Sequence, residues 1–331
     1  MLERVVAPLV SGGVDEVVLS LGYRPADFLA VYGGGSIAGV PCTCVVEPDL
    51  LDTAGAIAFA AGQAGVDDTF VAVNGDVLSD IDVGELVAFH RQRGAEATVA
   101  LVGVEDPSRF GVVVTDAQGR VRAFVEKPPP GTAPSNQINA GAYVLEPSVL
   151  DRVEPGVRVS IERQTFPALA EQGSLFARSF DVYWLDTGTP QAYLQAHADL
   201  LHGRRGRPPA PGARQLAEGL WAIGDVSVAG DAGGGTLLGA GAQVAAGATV
   251  SDSCIGAGAR VAAGAVVSGS VLLPGATVGP GARVERSVLG AGAWVGERAV
   301  VDGVSVVGDG GRVEPGATVH EGRVPAASPV A

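Results

Sequence analysis

The sequence has 331 residues, 47% of them hydrophobic, which is enough to bury a large core and is the length of two domains. A formal net charge of −14 excludes nucleic acid or an anionic membrane surface as the main partner, so an anionic substrate would need a metal ion or a few well-placed cations. Forty-nine glycines beside 5% aromatics point to an internal repeat.

The opening stretch MLERVVAPLV carries Glu3 and Arg4 where a signal peptide needs an unbroken apolar run, and no segment approaches 18 consecutive apolar residues. The expectation is a soluble cytoplasmic protein. From 14 to 200, β-rich runs alternate with helical patterns, which predicts an α/β domain with a doubly wound, Rossmann-like sheet. Strands are expected over 14–22, 41–48, 68–76 and 97–104, and helices over 52–63, 83–94, 160–173 and 189–203. A hairpin over 110–128 turns at 116–119. Cys42, Cys44 and Cys254 read as free thiols, and the four histidines show no metal-ligand spacing.

HGRRGRPPAPGARQ (202–215) breaks every periodicity and reads as a linker. Beyond it, aliphatic residues fall at Leu238, Val244 and Val250, then at Ile255, Val261 and Val267, with corresponding anchors 17 apart and one step of 18 at Val307. Hexapeptides such as LGAGAQ and IGAGAR resemble the repeat of left-handed parallel β-helices: the aliphatic residue points inward and small residues turn the corners. The expected boundaries are 1–203 for the α/β domain, 204–220 for the linker, 221–325 for the β-helix and 326–331 for a tail.

Three features carry chemistry. The run FVAVNGD ends an apolar strand in Asp76, where ligands of a doubly wound sheet bind; a carboxylate there suits a hard cation such as Mg²⁺, although Asp76 could equally be a turn residue or helix cap. Asp80 and Asp82 read as caps. YWLDTGTP repeats the pattern at Asp186, so two strand-end aspartates could share one metal ion. Of 22 basic residues, Lys127 in VEKPPP is the sole lysine, which suggests a site needing a compact ammonium for phosphate. In SNQINAGAYVL, Asn139 could bind a sugar hydroxyl and Gly141 allows close approach.

EPDLLDTAGAI, NGD, FHRQRG, DPSRFGVVV, RAFVEKP, NAGAYVLEPSVL, SIERQTFPALAEQG and WLDTGTP, in this order, resemble the sugar-1-phosphate nucleotidyltransferases. The mannose-1-phosphate guanylyltransferase branch, which also carries a β-helix, is the most similar. The resemblance implies nucleotidyl transfer from an NTP, GTP favoured, to a sugar 1-phosphate, mannose 1-phosphate favoured. It implies that Asp76 and Asp186 bind Mg²⁺, that Lys127 and Glu126 hold the sugar phosphate and a hydroxyl, and that Gly75, Gly111, Asn139 and Gly141 shape the substrate pocket. Glu47, Thr53, Ala54 and Gly55 fall on the nucleotide-base loop. Homo-oligomers through the β-helix are expected.

Two departures qualify this. The base loop reads Asp52-Thr53-Ala54-Gly55 where the family has glycine first, and the Asp52 carboxylate could crowd or repel a nucleotide. The family also begins with a strand, a glycine-rich phosphate loop and a lysine-bearing segment ahead of the helix that starts here at Leu2. The expectation is a start codon set too far downstream, a chain catalytically silent as it stands, and two strands left with unpaired backbone. The alternatives are a glucose-1-phosphate thymidylyl- or uridylyltransferase, a regulatory nucleotide-sugar-binding subunit, and, least favoured, acyl transfer on a β-helix whose only histidine is His320.

Overall fold

The structure, a computed structural model, describes residues 1–206 and 208–327; Arg207 of the expected linker and 328–331 of the expected tail lie outside the described residues. The chain divides into two compact units, Met1–Leu185 and Asp186–Ala331.

In the first unit, helix α1 (Leu2–Ser11) leads into β1 (Val17–Leu21), α2 (Pro25–Tyr32), β2 (Ser36–Ile37), β3 (Val40–Val46) and α3 (Asp52–Ala64). Then follow β4 (Phe70–Val73), β5 (Val77–Ser79), α4 (Val83–Arg93), β6 (Ala97–Gly103), β7 (Gly111–Thr115), β8 (Val121–Glu126), β9 (Gln137–Leu145), α5 (Phe166–Gln172) and β10 (Leu175–Phe180). Helix ends obey local chemistry: the Asp82 carboxylate accepts from Glu85 N–H to cap α4, and Gly65, Gly94 and Gly173 end their helices in the left-handed conformation. The hairpin turns where expected, with Asp116 Oδ1 accepting from Gln118 and Arg120 N–H.

Apart from β5, these strands divide between two sheets. One runs β1-β3-β2; the other runs β10-β6-β9-β7-β8, with β4 paired to β9. Among the described residues β1 pairs only with β3, and β4 only with β9, so each keeps one unladdered side. The larger sheet is covered on both faces. Val99, Leu101, Tyr143 and Leu145 pack with Phe166 and Leu169 on one face, and Ala100, Val102, Ile138 and Val144 pack with Ile81 and Leu86 on the other. Residues of β6 from Ala97 to Val102 are therefore buried without alternation, and all but Thr98 are apolar.

The second unit contains α6 (Pro190–Leu201) and a parallel β-solenoid of three sheets. Leu238 stands opposite Ile255, Leu272 and Leu289 in successive coils, each fully buried. Alanines at 242, 248, 259, 265, 276, 282, 293 and 299 occupy a second inward position beside the aliphatic anchors. A column of buried serines runs along one corner: Ser270 N–H donates to Ser253 Oγ and Ser287 N–H to Ser270 Oγ, both at 3.1 Å. The 18-residue step falls at the corner holding Gly303 and Val304.

The solenoid begins before the periodicity becomes visible. Leu220–Ala222 pairs with the strand at Leu238, and the segment expected as linker contributes Arg214–Ala217, antiparallel to it. The inward residues of this coil include Ala222 and Ala232, too small to register as anchors. Helix α6, grouped with the α/β domain by sequence, is counted in the second unit.

Candidate active site

The hairpin end carries the first group. Gly111 stands opposite Glu126, and a Cβ on it would lie 2.8 Å from the Phe124 ring and 3.0 Å from Glu126 Oε2, so glycine leaves room for both. Lys127 follows at φ +48, its N–H donating to Phe110 O at 3.0 Å and its Nζ 3.6 Å from Glu126 Oε1. A left-handed lysine costs about 1–2 kcal/mol, and the exposed ion pair returns little of that. The strain is held by the hairpin rather than by the charge pair.

The second group lies on β9. Val99 of β6 faces Tyr143 while Leu101 faces Asn139, so β9 bulges between them. Within the bulge Gly141 sits at φ +72; its N–H donates to Asn139 Oδ1 at 2.9 Å, and its carbonyl accepts from Asn74 N–H at 2.8 Å. A side chain at Gly141 would meet Asn74 Nδ2 at 2.7 Å. The bulge thus anchors the turn after β4, in which Val77 N–H returns to Asn74 O and Gly75 and Asp76 are exposed at the tip. Asn139 Nδ2 donates to the Tyr143 hydroxyl at 2.8 Å. Asn139, expected as a sugar ligand, therefore makes two internal bonds, and its amide retains a second N–H.

The third group surrounds the start of α3. Glu47 braces the preceding loop, accepting from Leu51 N–H at 3.1 Å and from Ser20 Oγ at 3.2 Å. Asp52 adopts φ +61, the conformation a glycine there would take without cost. Its carboxylate turns back to Thr53 N–H at 2.8 Å and lies 3.5 Å from Arg158 Nε, so it caps its own helix and faces a cation. Ala54 and Gly55 N–H both donate to Val159 O, at 2.9 and 3.2 Å. A Cβ on Gly55 would meet Val157 O at 2.9 Å, so this glycine permits the close approach of the 157–160 segment. The backbone donors that open α3 are thus engaged within the protein.

Ser160, Glu162 and Tyr143 carry no role legible in the sequence pattern around SIERQTFP and NAGAYVL. Ser160 caps a π-helical turn, Ile161–Thr165, its Oγ accepting from Arg163 N–H at 3.3 Å and donating to Glu162 Oε2 at 3.0 Å. Pro167, lacking an N–H, follows at once and prevents ordinary α-helical bonding there. The Thr53 hydroxyl reaches both Glu162 Oε2 and Asp52 Oδ1 at 3.4 Å. Burial above all, then the negative charge of Glu162, pushes the Tyr143 phenol well above its usual range. Thr53, Glu126, Asn139, Tyr143 and Glu162 are brought together within the first unit.

Asp186 begins the second unit, where its Oδ1 accepts from Gly188 N–H at 2.8 Å ahead of α6, capped by Thr189. Among the described residues no three His, Cys, Asp or Glu side chains form a metal cage. Such a donor set is compatible with Mg²⁺, which binds through one or two carboxylates plus water and substrate phosphates.

The nucleotidyl transferase family model matches residues 1–203, and the GMPPB C-terminal domain model matches 233–330. The chain belongs to the nucleotidyl transferase family. Mannose-1-phosphate guanylyltransferase of Mycobacterium tuberculosis is 39% identical over 252 residues, 74% of this chain and 68% of that protein. Probable mannose-1-phosphate guanylyltransferase 3 of Oryza sativa subsp. japonica is 37% identical over 260 residues, 76% and 70% of the two chains. The crystal structure of HddC from Yersinia pseudotuberculosis complexed with GMP-PN is similar at a TM-score of 0.50 and 25% identity, covering 59% of this chain and 82% of that one. Among the described residues no helix is long and apolar enough to cross a membrane.

Proposed function

We propose that this chain is a mannose-1-phosphate guanylyltransferase, forming GDP-mannose from GTP and mannose 1-phosphate. A phosphate oxygen of the sugar 1-phosphate attacks the α-phosphorus of GTP, the bond from that phosphorus to the bridging oxygen breaks, and pyrophosphate leaves. The observation that carries the reading is the sole lysine, Lys127, held in a strained conformation beside Glu126 at the hairpin end. Its ammonium binds the sugar phosphate as a point charge, Glu126 accepts from a sugar hydroxyl, and Asn139 donates its second amide hydrogen to another. The loop of Glu47, Thr53, Ala54 and Gly55 borders the base. Gly111 and Gly141 leave room for the side chains around them, and Gly75 is assigned to the substrate pocket on sequence grounds. Asp76 and Asp186 are each assigned, on sequence grounds, as ligands of Mg²⁺, which when bound offsets the repulsion between two anionic substrates.

The domain assignment 1–203, 204–220 and 221–325 belongs to the same reading, as do a cytoplasmic location and self-association through the solenoid. Light scattering tests the last: a monomer at micromolar concentration overturns it. The activity is tested by pyrophosphate release with GTP and mannose 1-phosphate against TTP or UTP and glucose 1-phosphate. The chain is assayed as it stands and with an N-terminal extension. Preference for GTP and mannose 1-phosphate in either preparation supports the reading. Preference for another pair, or nucleotide-sugar binding without turnover in both, overturns it.

A further inference from the structure

The base loop and the segment before Ser160 are clamped together through the backbone. Val159 N–H donates to Leu51 O at 2.9 Å, and Val159 O accepts from Ala54 and Gly55 N–H at 2.9 and 3.2 Å. The Val159 side chain packs against the core, so its neighbour Arg158 is left on the outside and largely exposed. From there the Arg158 side chain returns to the loop, its Nε 3.5 Å from Asp52 Oδ2. Asp52 bears a φ of +61 that glycine would take without cost, so the carboxylate is present at the expense of strain. One of its oxygens caps Thr53 N–H and the other is turned to Arg158. An exposed ion pair of this length adds little to stability, and stability therefore does not account for the pairing. Asp52 meets the guanidinium at Nε, and among the described residues Nη1 and Nη2 have no hydrogen-bond or ion-pair partner.

We propose that Arg158 is a specificity-determining ligand of the nucleobase, its terminal amino groups donating to guanine O6 and N7, and that Asp52 is the positioning residue that aims it. This rests on the assignment of the loop of Thr53, Ala54 and Gly55 to the base given above. The chemistry selects guanine. Its O6 and N7 are two acceptors side by side that match the planar arginine fork, whereas adenine presents a donor, N6, in place of O6, and thymine and uracil have no N7. The pairing also removes a conflict. In a chain of net charge −14, a carboxylate on the base loop adds to the repulsion of an anionic nucleotide, and the guanidinium beside it offsets that charge. Asp52 thus acts through Arg158, and glycine at this position would leave the arginine without its partner.

Calorimetric titration with GTP and with 7-deaza-GTP tests this, on the chain as it stands and with an N-terminal extension. The analogue carries C–H in place of N7 and keeps every phosphate. The parent should bind GTP about tenfold more tightly than the analogue, and in Arg158→Ala the two should bind within about twofold of each other. Arg158→Lys keeps the charge without the fork and should lose the discrimination as well. Asp52→Asn keeps an acceptor for Thr53 N–H and tolerates the left-handed conformation, but it sets an amide in place of the carboxylate beside Arg158. It should narrow the preference for GTP to about threefold while the circular dichroism spectrum stays that of the parent. Equal weakening of both nucleotides in Arg158→Ala places the contact on phosphate and overturns the proposal, as does a parent that binds the two alike. An undiminished preference in Asp52→Asn overturns the positioning role. Absence of binding by any nucleotide in both preparations overturns the proposed function, and this inference with it.

Discussion

The two units place left-handed backbone differently. In the solenoid it recurs at the corners, mostly on glycines such as Gly241, Gly247, Gly258 and Gly264, and otherwise on Asp252, Arg286, Arg298, Val304 and Glu321 between short strands. In the first unit the non-glycine cases include Asp52 and Lys127, at the start of α3 and at the hairpin end. At a corner the conformation serves the turn, so glycine is the better residue. At Lys127 a glycine would satisfy the backbone equally well, and the lysine is there in spite of that. Strain that repeats with the fold is structural, whereas strain borne by a singular side chain points to function.

The largest effect is expected in the solenoid core. Leu272→Ala removes a buried anchor that faces Ile255 and Leu289 in adjoining coils and should destabilise the second unit by about 2–5 kcal/mol, read by denaturant titration. It should leave the KM values unchanged. A loss below 1 kcal/mol would mean that the coils bear load unequally.

Lys127→Gly sharpens the contrast. It should relieve the left-handed backbone and hold or raise the melting temperature, while turnover falls about 10²-fold or more. Unchanged turnover would make Lys127 an ordinary hairpin residue. The matching corner change, Val304→Gly at φ +64, should stabilise the solenoid by about 0.5 kcal/mol, the net of relieved strain and lost chain entropy, with no kinetic effect. Destabilisation there would break the distinction.

The smallest effect concerns His320, whose Nδ1 lies 2.5 Å from Asp302 Oδ1. The bond to Asp302 and then its charge raise the histidine pKa; Glu321 adds to this and Arg286 opposes it. A raised folded value means that the pairing stabilises the last coil fully below the ordinary histidine range, about pH 6.5, and is lost as pH rises through the higher folded value. An NMR titration should find the His320 pKa lower in Asp302→Asn. No change would remove Asp302 as the cause.

Legibility also differs between the units. The solenoid was readable because each inward residue repeats after a fixed interval, and it became unreadable only in the first coil, where alanines replace the anchors. In the first unit the strands, the hairpin and the Asp82 cap follow from local pattern, because each depends on residues a few positions apart. Gly141 was singled out in sequence for close approach and Gly111 by its resemblance to a sugar-pocket position, but what they make room for, Asn74 at the one and Phe124 and Glu126 at the other, became visible only in space.

The amino-acid sequence by itself determined the alternating α/β domain, the inward register of the solenoid and the singularity of Lys127, since periodicity and composition are properties of the chain alone. Only the tertiary structure decided the rest. It turned the Asp52 carboxylate back on Thr53 N–H and toward Arg158, where sequence suggested repulsion of a ligand. It divided the strands of the first unit, β5 apart, between two sheets. It brought Glu162 to Thr53 across 109 residues and to the buried Tyr143. Such bonds depend on the direction in which separate elements present single donors and acceptors, and no local spacing encodes that direction.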